Sequence, residues 1–201
     1  MGKIERKKKE KKDALLNTAF ELFTTKGINK TSISDIALHA GVAKGTFYLY
    51  FTDKYDIRNK LISHKASQLF YSAHEELLLQ EDQYDVTGRI IFIINHIIDK
   101  LNENKKLLNF ISKNLSWGVF KSAITTSKDT SDLNFYDAYT TLIEHSGHKF
   151  REPEIMLYMI IELVGSTCYS PILYSEPKAI EEFKPYLYEA IRSIIKAHCL
   201  D

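Results

Sequence analysis

The sequence comprises 201 residues, 44% of them hydrophobic and 26% charged, so it predicts a folded chain with a buried core and excludes a disordered one. The net charge is only +1, but residues 1–60 carry 13 Lys and Arg against 7 Asp and Glu, which leaves the remainder acidic. A basic end on an acidic body is typical of a protein with a terminal nucleic-acid-binding domain.

Motifs that would indicate other protein classes are missing from the sequence. The two cysteines, Cys168 and Cys199, form no paired motif, which argues against a disulfide scaffold or a zinc site and fits a reducing cytoplasm. The first residues contain no apolar segment of a signal peptide, and no apolar run approaches the roughly 18 residues that span a bilayer. Since no nucleophile elbow, P-loop or dinucleotide fingerprint occurs, we expect no enzyme and no cofactor. Since no apolar run is long enough to span a bilayer, we also expect no membrane partner.

A basic segment, residues 3–12, contains seven cations and two glutamates. It merges into a predicted helix with a broad apolar face, which ends at Gly27. Short runs of this kind are commonly just solvated charge. Directly before a nucleic-acid-binding domain, however, the segment is well placed to add sequence-independent phosphate contacts.

The stretch from Ser32 to Phe51 has the pattern of two short helices joined by a turn. Ser32 followed by Asp35 predicts a capping box, because each side chain can satisfy a free amide in the first helical turn. Gly41 predicts the end of that helix, since a tight turn needs a residue that tolerates positive φ. Two short helices crossing at such a turn form a helix-turn-helix.

The outer face of the second helix carries side chains that folding alone does not explain. With Phe47 set inward at 100° per residue, the opposite face and its flanks hold Lys44, Gly45, Thr46, Tyr48 and Leu49. Gly45 costs about 1 kcal/mol relative to alanine inside a helix, but it allows another backbone to approach closely. Leu49 could contact a thymine methyl in the major groove. The alternative is an ordinary helical hairpin with Leu49 on a protein interface.

The run G-V-A-K-G-T-F-Y-L-Y-F, followed by T-D-K, resembles the signature of TetR-family transcriptional regulators, strongly so over about residues 10–60. The resemblance implies an all-α homodimer with an N-terminal three-helix DNA-binding domain and a C-terminal helical domain for ligand binding and dimerisation. We expect about nine helices in all. The DNA-binding residues that the resemblance implies are Thr31, Ser32, Lys44, Gly45, Thr46, Tyr48, Leu49, Tyr50 and Lys54. Many relatives carry serine where this chain has Ala43, so a helix cap or phosphate contact is absent here.

A long helix is predicted after the motif, with Asp53 and Asp56 as its capping residues. Lys54 places a cation at the helix start, where the helix dipole disfavours it, and a bound phosphate would relieve the conflict. We place the domain boundary at this point, with residues 1–52 as the DNA-binding domain and residues 53–201 as the effector-binding and dimerisation domain.

The remaining chain is helical in pattern apart from a segment at residues 116–132 that resists prediction. Pro153 suits the first turn of a strong helix, and Pro185 is expected to start or kink the last one. These two helices are apolar enough to need burial on more than one side. A homodimer formed by them meets that need, although the same pattern could be core within one chain.

An effector pocket in the C-terminal domain would take a small apolar or aromatic molecule. The residues predicted to line it are Phe92, His96, Phe110, Trp117, Tyr139, Tyr158 and Glu162. Each of them could equally be a core residue, and a hydrogen-bonded core histidine is the more ordinary role for His96. Glu162 lies in an apolar helix and would need a partner if it were buried.

A metal site is not predicted. Glu144, His145 and His148 are possible ligands, but Gly147 interrupts the helix that would bring the two histidines to one face. The sequence as a whole predicts a homodimeric repressor that binds double-stranded DNA at a palindromic operator and is released by a small-molecule effector. The alternatives are a helical protein-interaction module and an effector-independent regulator or activator.

Overall fold

The computed structural model describes residues 2–80, 84–114 and 135–201 and divides into two compact units, residues 1–65 and 66–201. The described residues form ten helices and, apart from one isolated bridge, no strand pairing, which confirms the all-α prediction. The helices are α1 (Lys3–Thr25), α2 (Ile33–His39), α3 (Lys44–Tyr48), α4 (Lys54–Leu78), α5 (Val86–Glu103), α6 (Lys105–Asn114), α7 (Phe135–Glu144), α8 (Pro153–Thr167), α9 (Tyr169–Tyr174) and α10 (Ile180–His198).

The first unit is a three-helix motif closed by the start of α4. The apolar face predicted for α1 is buried, and the side chains of Ile36 on α2 and Phe47 on α3 are fully inaccessible to solvent. Ile57 and Leu61 of α4 complete this core. Because fully burying one such side chain contributes about 1.5–3 kcal/mol, this small core suffices to fix the two short helices.

The second unit has its main core among α5, α8 and α10. Its fully buried side chains include Ile98 on α5, Met156 on α8 and Ile191 on α10. A smaller cluster joins the part of α4 after residue 65 to α5 through Phe70 and Ile93. Helix α5 therefore contributes to both clusters and is central to the second unit.

Some helix bounds differ from those predicted. Helix α3 ends at Tyr48 because the next two amides bond three residues back, with N···O distances of 3.2 and 3.0 Å. Helix α10 begins at Ile180, so Pro185 lies inside it and does not start it. The two units meet between Lys65 and Ala66, inside α4 rather than at its start. The segment that resists prediction from the sequence, residues 116–132, lies outside the described residues.

Candidate nucleic-acid interface and ligand cavity

The turn between α2 and α3 is built by local interactions. The Ser32 hydroxyl accepts from the Asp35 amide at 3.0 Å, and the Asp35 carboxylate accepts from the Ser32 amide at 3.0 Å, so the predicted capping box is present. The hydrogen bonds from Ser32 lower the pKa of Asp35 and keep it charged at the positive end of α2. Gly41 has φ = +67°, as predicted for the residue that ends α2.

Helix α3 presents one face to the core and the opposite face to solvent. Phe47 is fully buried, whereas Lys44 and Gly45 are exposed and Leu49 is 79% exposed. A methyl group added to Gly45 would meet no atom within 4 Å, so packing inside the chain does not require glycine there. The inward direction predicted for Phe47 is confirmed, and the outer face of α3 is free to contact another molecule.

The start of α3 lacks a side-chain cap. Ala43 occupies the cap position with no side-chain hydrogen bond, and its carbonyl accepts from the Thr46 amide at 2.8 Å. Thr46 and Tyr50 are half-buried on the flank of the helix, and Tyr48 is 52% exposed. The exposed outer surface therefore consists mainly of a lysine, a glycine, a tyrosine and a leucine.

Besides Ser32, two more residues in the predicted DNA-binding set, Thr31 and Lys54, have partners inside the unit. Thr31 is only 2% exposed, and its hydroxyl donates to the Gly27 carbonyl at 2.8 Å, so its side chain cannot reach DNA as predicted. The Lys54 ammonium donates to the carbonyls of Ile28 at 3.1 Å and Thr31 at 3.4 Å. These carbonyls offset the Lys54 charge at the start of α4 within the unit, and the phosphate contact of Lys54 stays a prediction.

The caps of α4 agree with the prediction. The Asp53 carboxylate accepts from the Asp56 amide at 2.8 Å, and the Asp56 carboxylate accepts from the Thr52 amide at 2.9 Å. Asp56 also pairs with Lys60, whose ammonium donates to the Tyr50 carbonyl at 3.2 Å. The end of α3 is thereby tied to the first turns of α4.

The surface around α3 includes groups that the sequence pattern did not single out. Leu38 on α2 is 75% exposed, which is unusual for a large apolar side chain on a short helix of a packed motif. The basic segment, residues 3–12, is the largely exposed first part of α1, and it contains an Arg6–Glu10 ion pair at 3.3 Å. The cations of residues 3–12 therefore lie along one helix.

A cavity of about 740 Å³ lies within the second unit. Its wall among the described residues is largely aliphatic: Ile90, Ile93, Ile94, Ile97, Leu101, Ile111, Leu142, Leu157, Ile160, Ile161 and Val164. Polar side chains are fewer and include His74, Arg89 and His145. This volume and this balance of apolar and polar groups are usual for small-molecule sites.

The cavity contains few of the aromatic residues that the sequence suggested. Of the predicted lining residues that are described, only Tyr139 is in its wall, and the Tyr139 hydroxyl donates to the Pro153 carbonyl at 2.8 Å. Phe92 and Phe110 pack elsewhere in the unit, and Phe110 is buried. Trp117 lies outside the described residues.

The polar residues of the predicted pocket also lie away from the cavity wall. The Nδ1 atom of His96 lies 2.7 Å from the Glu76 carboxylate, which accepts, and its Nε2 atom lies 3.0 Å from the Ser72 hydroxyl. His96 therefore joins α4 to α5 as a hydrogen-bonded core histidine and is not in the cavity wall. Tyr158 is 41% exposed and Glu162 is exposed on α8. Glu162 is therefore not buried, so its carboxylate needs no partner inside the unit.

A buried lysine joins α10 to α5. Lys184 is 8% exposed and donates to Asp99 at 2.5 Å and to Glu181 at 3.0 Å. Burial opposes its charge, but the hydrogen bonds to the two carboxylates outweigh burial and raise the pKa of Lys184. Beside it, the Tyr188 hydroxyl donates to Asn95 at 2.5 Å, and burial raises the Tyr188 pKa to about 12.

Helix α8 is apolar on two sides. Met156 and Ile160 are buried in the core, whereas Ile155, Tyr158 and Met159 are 48%, 41% and 43% exposed. By length and composition, the stretch Pro153–Tyr174 is the one described helical run that could span a membrane, with a mean hydropathy of 1.4. The same composition occurs in core helices of other proteins, so it indicates only that the outer side of α8 is unusually apolar.

Comparisons of the sequence with known proteins place these features in context. The profile described as "Bacterial regulatory proteins, tetR family" matches residues 15–61. An HTH-type transcriptional regulator of Staphylococcus aureus (strain MRSA252) is 31% identical over 191 residues, which cover 91% of this chain and 95% of that protein. The transcriptional repressor BepR of Brucella suis is 33% identical over 76 residues, which are 38% of this chain and only 34% of BepR.

Solved structures show the same fold. A protein of Syntrophomonas wolfei assigned to the TetR family superposes with a TM-score of 0.67 at 23% identity, over 94% of this chain and 96% of the other. The transcriptional regulator FadR from Bacillus subtilis, in complex with stearoyl-CoA, superposes with a TM-score of 0.65 at 17% identity, over 90% of this chain and 98% of FadR.

Proposed function

The chain belongs to the TetR family of bacterial regulatory proteins, and from this premise we propose that it is a homodimeric, effector-released repressor of a palindromic operator. As a helix-turn-helix transcription regulator it is not an enzyme. We place its action in the cytoplasm, on the chromosome. The observation that carries the proposal is the solvent-facing side of α3, where Lys44, Gly45, Tyr48 and Leu49 are exposed above the buried Phe47.

Each exposed group of α3 has a matching partner in a major groove. Lys44 can donate to guanine or phosphate, and Tyr48 can hydrogen-bond a phosphate oxygen. Leu49 suits a thymine methyl, and Gly45 lets the helix backbone approach the DNA closely. The exposed cations of residues 3–12 add affinity without sequence preference. Ser32 and the half-buried Thr46 and Tyr50 are proposed to contact phosphate groups beside the outer face of α3.

The homodimer is proposed to form through α8 and α10, with the exposed apolar side of α8 at its centre. Ile155, Tyr158 and Met159 lie at one-turn spacing on a helix whose other side is already packed. A second copy related by two-fold symmetry would cover this patch with the same patch. A palindromic operator then follows, because each subunit offers one recognition helix.

The effector is proposed to bind in the 740 Å³ cavity and to be largely apolar, since the described wall is mostly aliphatic. The FadR structure that shares this fold holds stearoyl-CoA, which has a long apolar chain. An effector releases the repressor only if it binds the DNA-free conformation more tightly than the DNA-bound one.

Selection of bound sequences from random duplexes, without added ligand, tests the DNA part of the proposal. We expect a palindromic motif whose half-sites lie about one helical turn or a multiple apart. A motif without symmetry would contradict the dimer. Failure to recover any motif with folded protein at low salt would contradict DNA binding and favour a protein partner for α3.

Displacement of the selected operator by a panel of apolar acids and aromatic compounds tests the effector part. Leu142→Trp places a larger side chain in the cavity wall. This variant should no longer release the operator when the effector is added, while its operator affinity without effector should be unchanged. Glu162→Gln is the matched control, because Glu162 is exposed on the neighbouring helix and is not in the wall. Release that survives Leu142→Trp would move the effector site elsewhere or favour an effector-independent regulator.

A further inference from the structure

Three side chains with metal-binding atoms meet where the chain following α10 returns to the segment preceding α8. Phe150 and Cys199 form an isolated antiparallel bridge, and the flanking backbone amides donate across it at 2.9 and 2.8 Å. This pairing holds His148, Cys199 and Asp201 side by side, although His148 is distant from the other two in sequence. The short ladder therefore fixes the backbone that carries all three groups.

The geometry of this cluster fits a small divalent cation. The Cys199 Sγ lies 3.2 Å from one Asp201 carboxylate oxygen, and the His148 Nδ1 lies 3.5 Å from the other. All three ligand atoms lie within 4.8 Å of one another. Ligands of a tetrahedral zinc ion, at about 2.0–2.3 Å from the metal, are about 3.3–3.8 Å apart. The separations in the cluster therefore need to shorten by no more than about 1–1.5 Å to reach those of a tetrahedral zinc site.

We propose that His148, Cys199 and Asp201 form a binding site for a divalent transition metal such as Zn²⁺. A thiolate, an imidazole and a carboxylate together favour zinc or cobalt over magnesium or calcium, which prefer oxygen ligands alone. With three protein ligands the fourth position belongs to water or to a small anion. An adjoining cleft of about 580 Å³, lined by Arg192 and Lys196 among others, keeps that position accessible.

Two hydrogen bonds orient the Asp201 carboxylate. The Cys199 thiol donates to it at 3.2 Å, and the Lys149 amide donates to it at 3.2 Å. Because the thiolate and not the thiol is the metal ligand, a bound metal would take the place of the thiol proton in this arrangement.

Metal binding would cross-link the segment before α8 to the segment after α10. His148 precedes α8 and Cys199 follows α10, so the metal would tie together the segments that flank these helices. Because the metal binds the folded chain and not the unfolded one, it should raise the melting temperature. The site is separate from α3, so its test does not depend on DNA binding.

Titration of the untagged, chelator-treated full-length protein with Co²⁺ tests the proposal. We expect saturation at one ion per chain, a near-ultraviolet thiolate-to-cobalt band, visible bands of a tetrahedral ion, and displacement by Zn²⁺. Cys199→Ser should abolish the thiolate band. His148→Gln and Asp201→Asn should each weaken Co²⁺ binding at least tenfold, because loss of a residue that only supports a ligand already costs about 10–100-fold in metal affinity.

Cys168→Ser is the matched control, because the Cys168 thiol is buried and burial raises its pKa to about 11. Its cobalt spectrum should equal that of the unmodified protein. Alkylation gives a second measurement that does not need a variant: Zn²⁺ should slow the labelling of Cys199 at least tenfold. The proposal is overturned if Co²⁺ gives no thiolate band, if the band survives Cys199→Ser, or if Zn²⁺ leaves labelling unchanged.

Discussion

Replacing Gly45 with alanine separates what folding requires of α3 from what DNA binding requires. Gly45 is the second residue of the helix, is exposed and does not have a positive φ. The added methyl group would contact nothing within 4 Å. Alanine is favoured over glycine in a helix by about 1 kcal/mol at most, and by less near the end of a five-residue helix. The variant should therefore be as stable as the original or slightly more stable.

Operator binding should change in the opposite direction. In the proposed complex the outer face of α3 lies in the major groove, and the new methyl group of residue 45 projects from that face. The methyl group would either hold α3 farther from the bases or displace the base contacts that its neighbouring residues make. We expect operator affinity to fall at least tenfold, which is about 1.4 kcal/mol.

Fluorescence anisotropy with the selected operator and with random duplex measures the affinity change, and urea unfolding measures stability. Asn17→Ala is the matched control: Asn17 is exposed on α1, so alanine should also favour the helix there while leaving operator affinity unchanged. If Gly45→Ala binds the operator as tightly as the original protein, Gly45 does not face DNA and the reasoning about α3 is refuted.

Three further predictions concern charged groups. Lys184→Met should lower the free energy of unfolding, measured in urea, by about 1–2 kcal/mol. The loss should be smaller than for a fully buried pair, because the carboxylate partners of Lys184 are partly exposed. Lys178→Met is the control: its ion pair with Glu182 is exposed, so the loss should be under about 0.5 kcal/mol. Lys44→Ala should reduce the ratio of operator to random-DNA affinity, whereas neutralising the cations of residues 3–12 should weaken both equally and flatten the salt dependence; equal losses from both changes would contradict this division. Asp35→Asn should be less stable than the original protein at neutral pH, because it lacks the charged carboxylate that bonds to Ser32. The original protein loses the stability that this carboxylate contributes only when the carboxylate is protonated. The difference in stability between the two proteins should therefore vanish as the pH falls through the lowered pKa of Asp35.

The parts of the fold that the sequence predicted well depend on residues close together in the chain. The capping box of Ser32 and Asp35 and the positive φ of Gly41 need only four to ten residues of context. Once Phe47 was set inward, the exposed outer face of α3 followed from the helical period alone. Such features can be read without knowing which helix lies opposite.

The lining of the cavity could not be predicted in this way. Helix α5 is apolar nearly all round, so its period does not reveal that Ile97 faces the cavity while the adjacent His96 bonds to α4. The emphasis on aromatic residues was also misleading, since isoleucine and leucine outnumber phenylalanine and tyrosine in the described wall. The buried role of Lys184 depends on Asp99, which is far away in sequence and has no recognisable spacing to it.

Lys54 shows how one electrostatic argument from the sequence is compatible with more than one partner. The sequence places a cation at the positive end of α4, and that cation requires nearby negative charge. Phosphate and backbone carbonyls both satisfy this requirement, but the carbonyls of Ile28 and Thr31 belong to the loop before α2 and become neighbours only on folding. Lys54 therefore fixes the loop from which α2 starts. A loss of operator affinity on replacing it would arise through the position of the helix-turn-helix, and would be accompanied by a loss of stability that a simple phosphate contact would not cause.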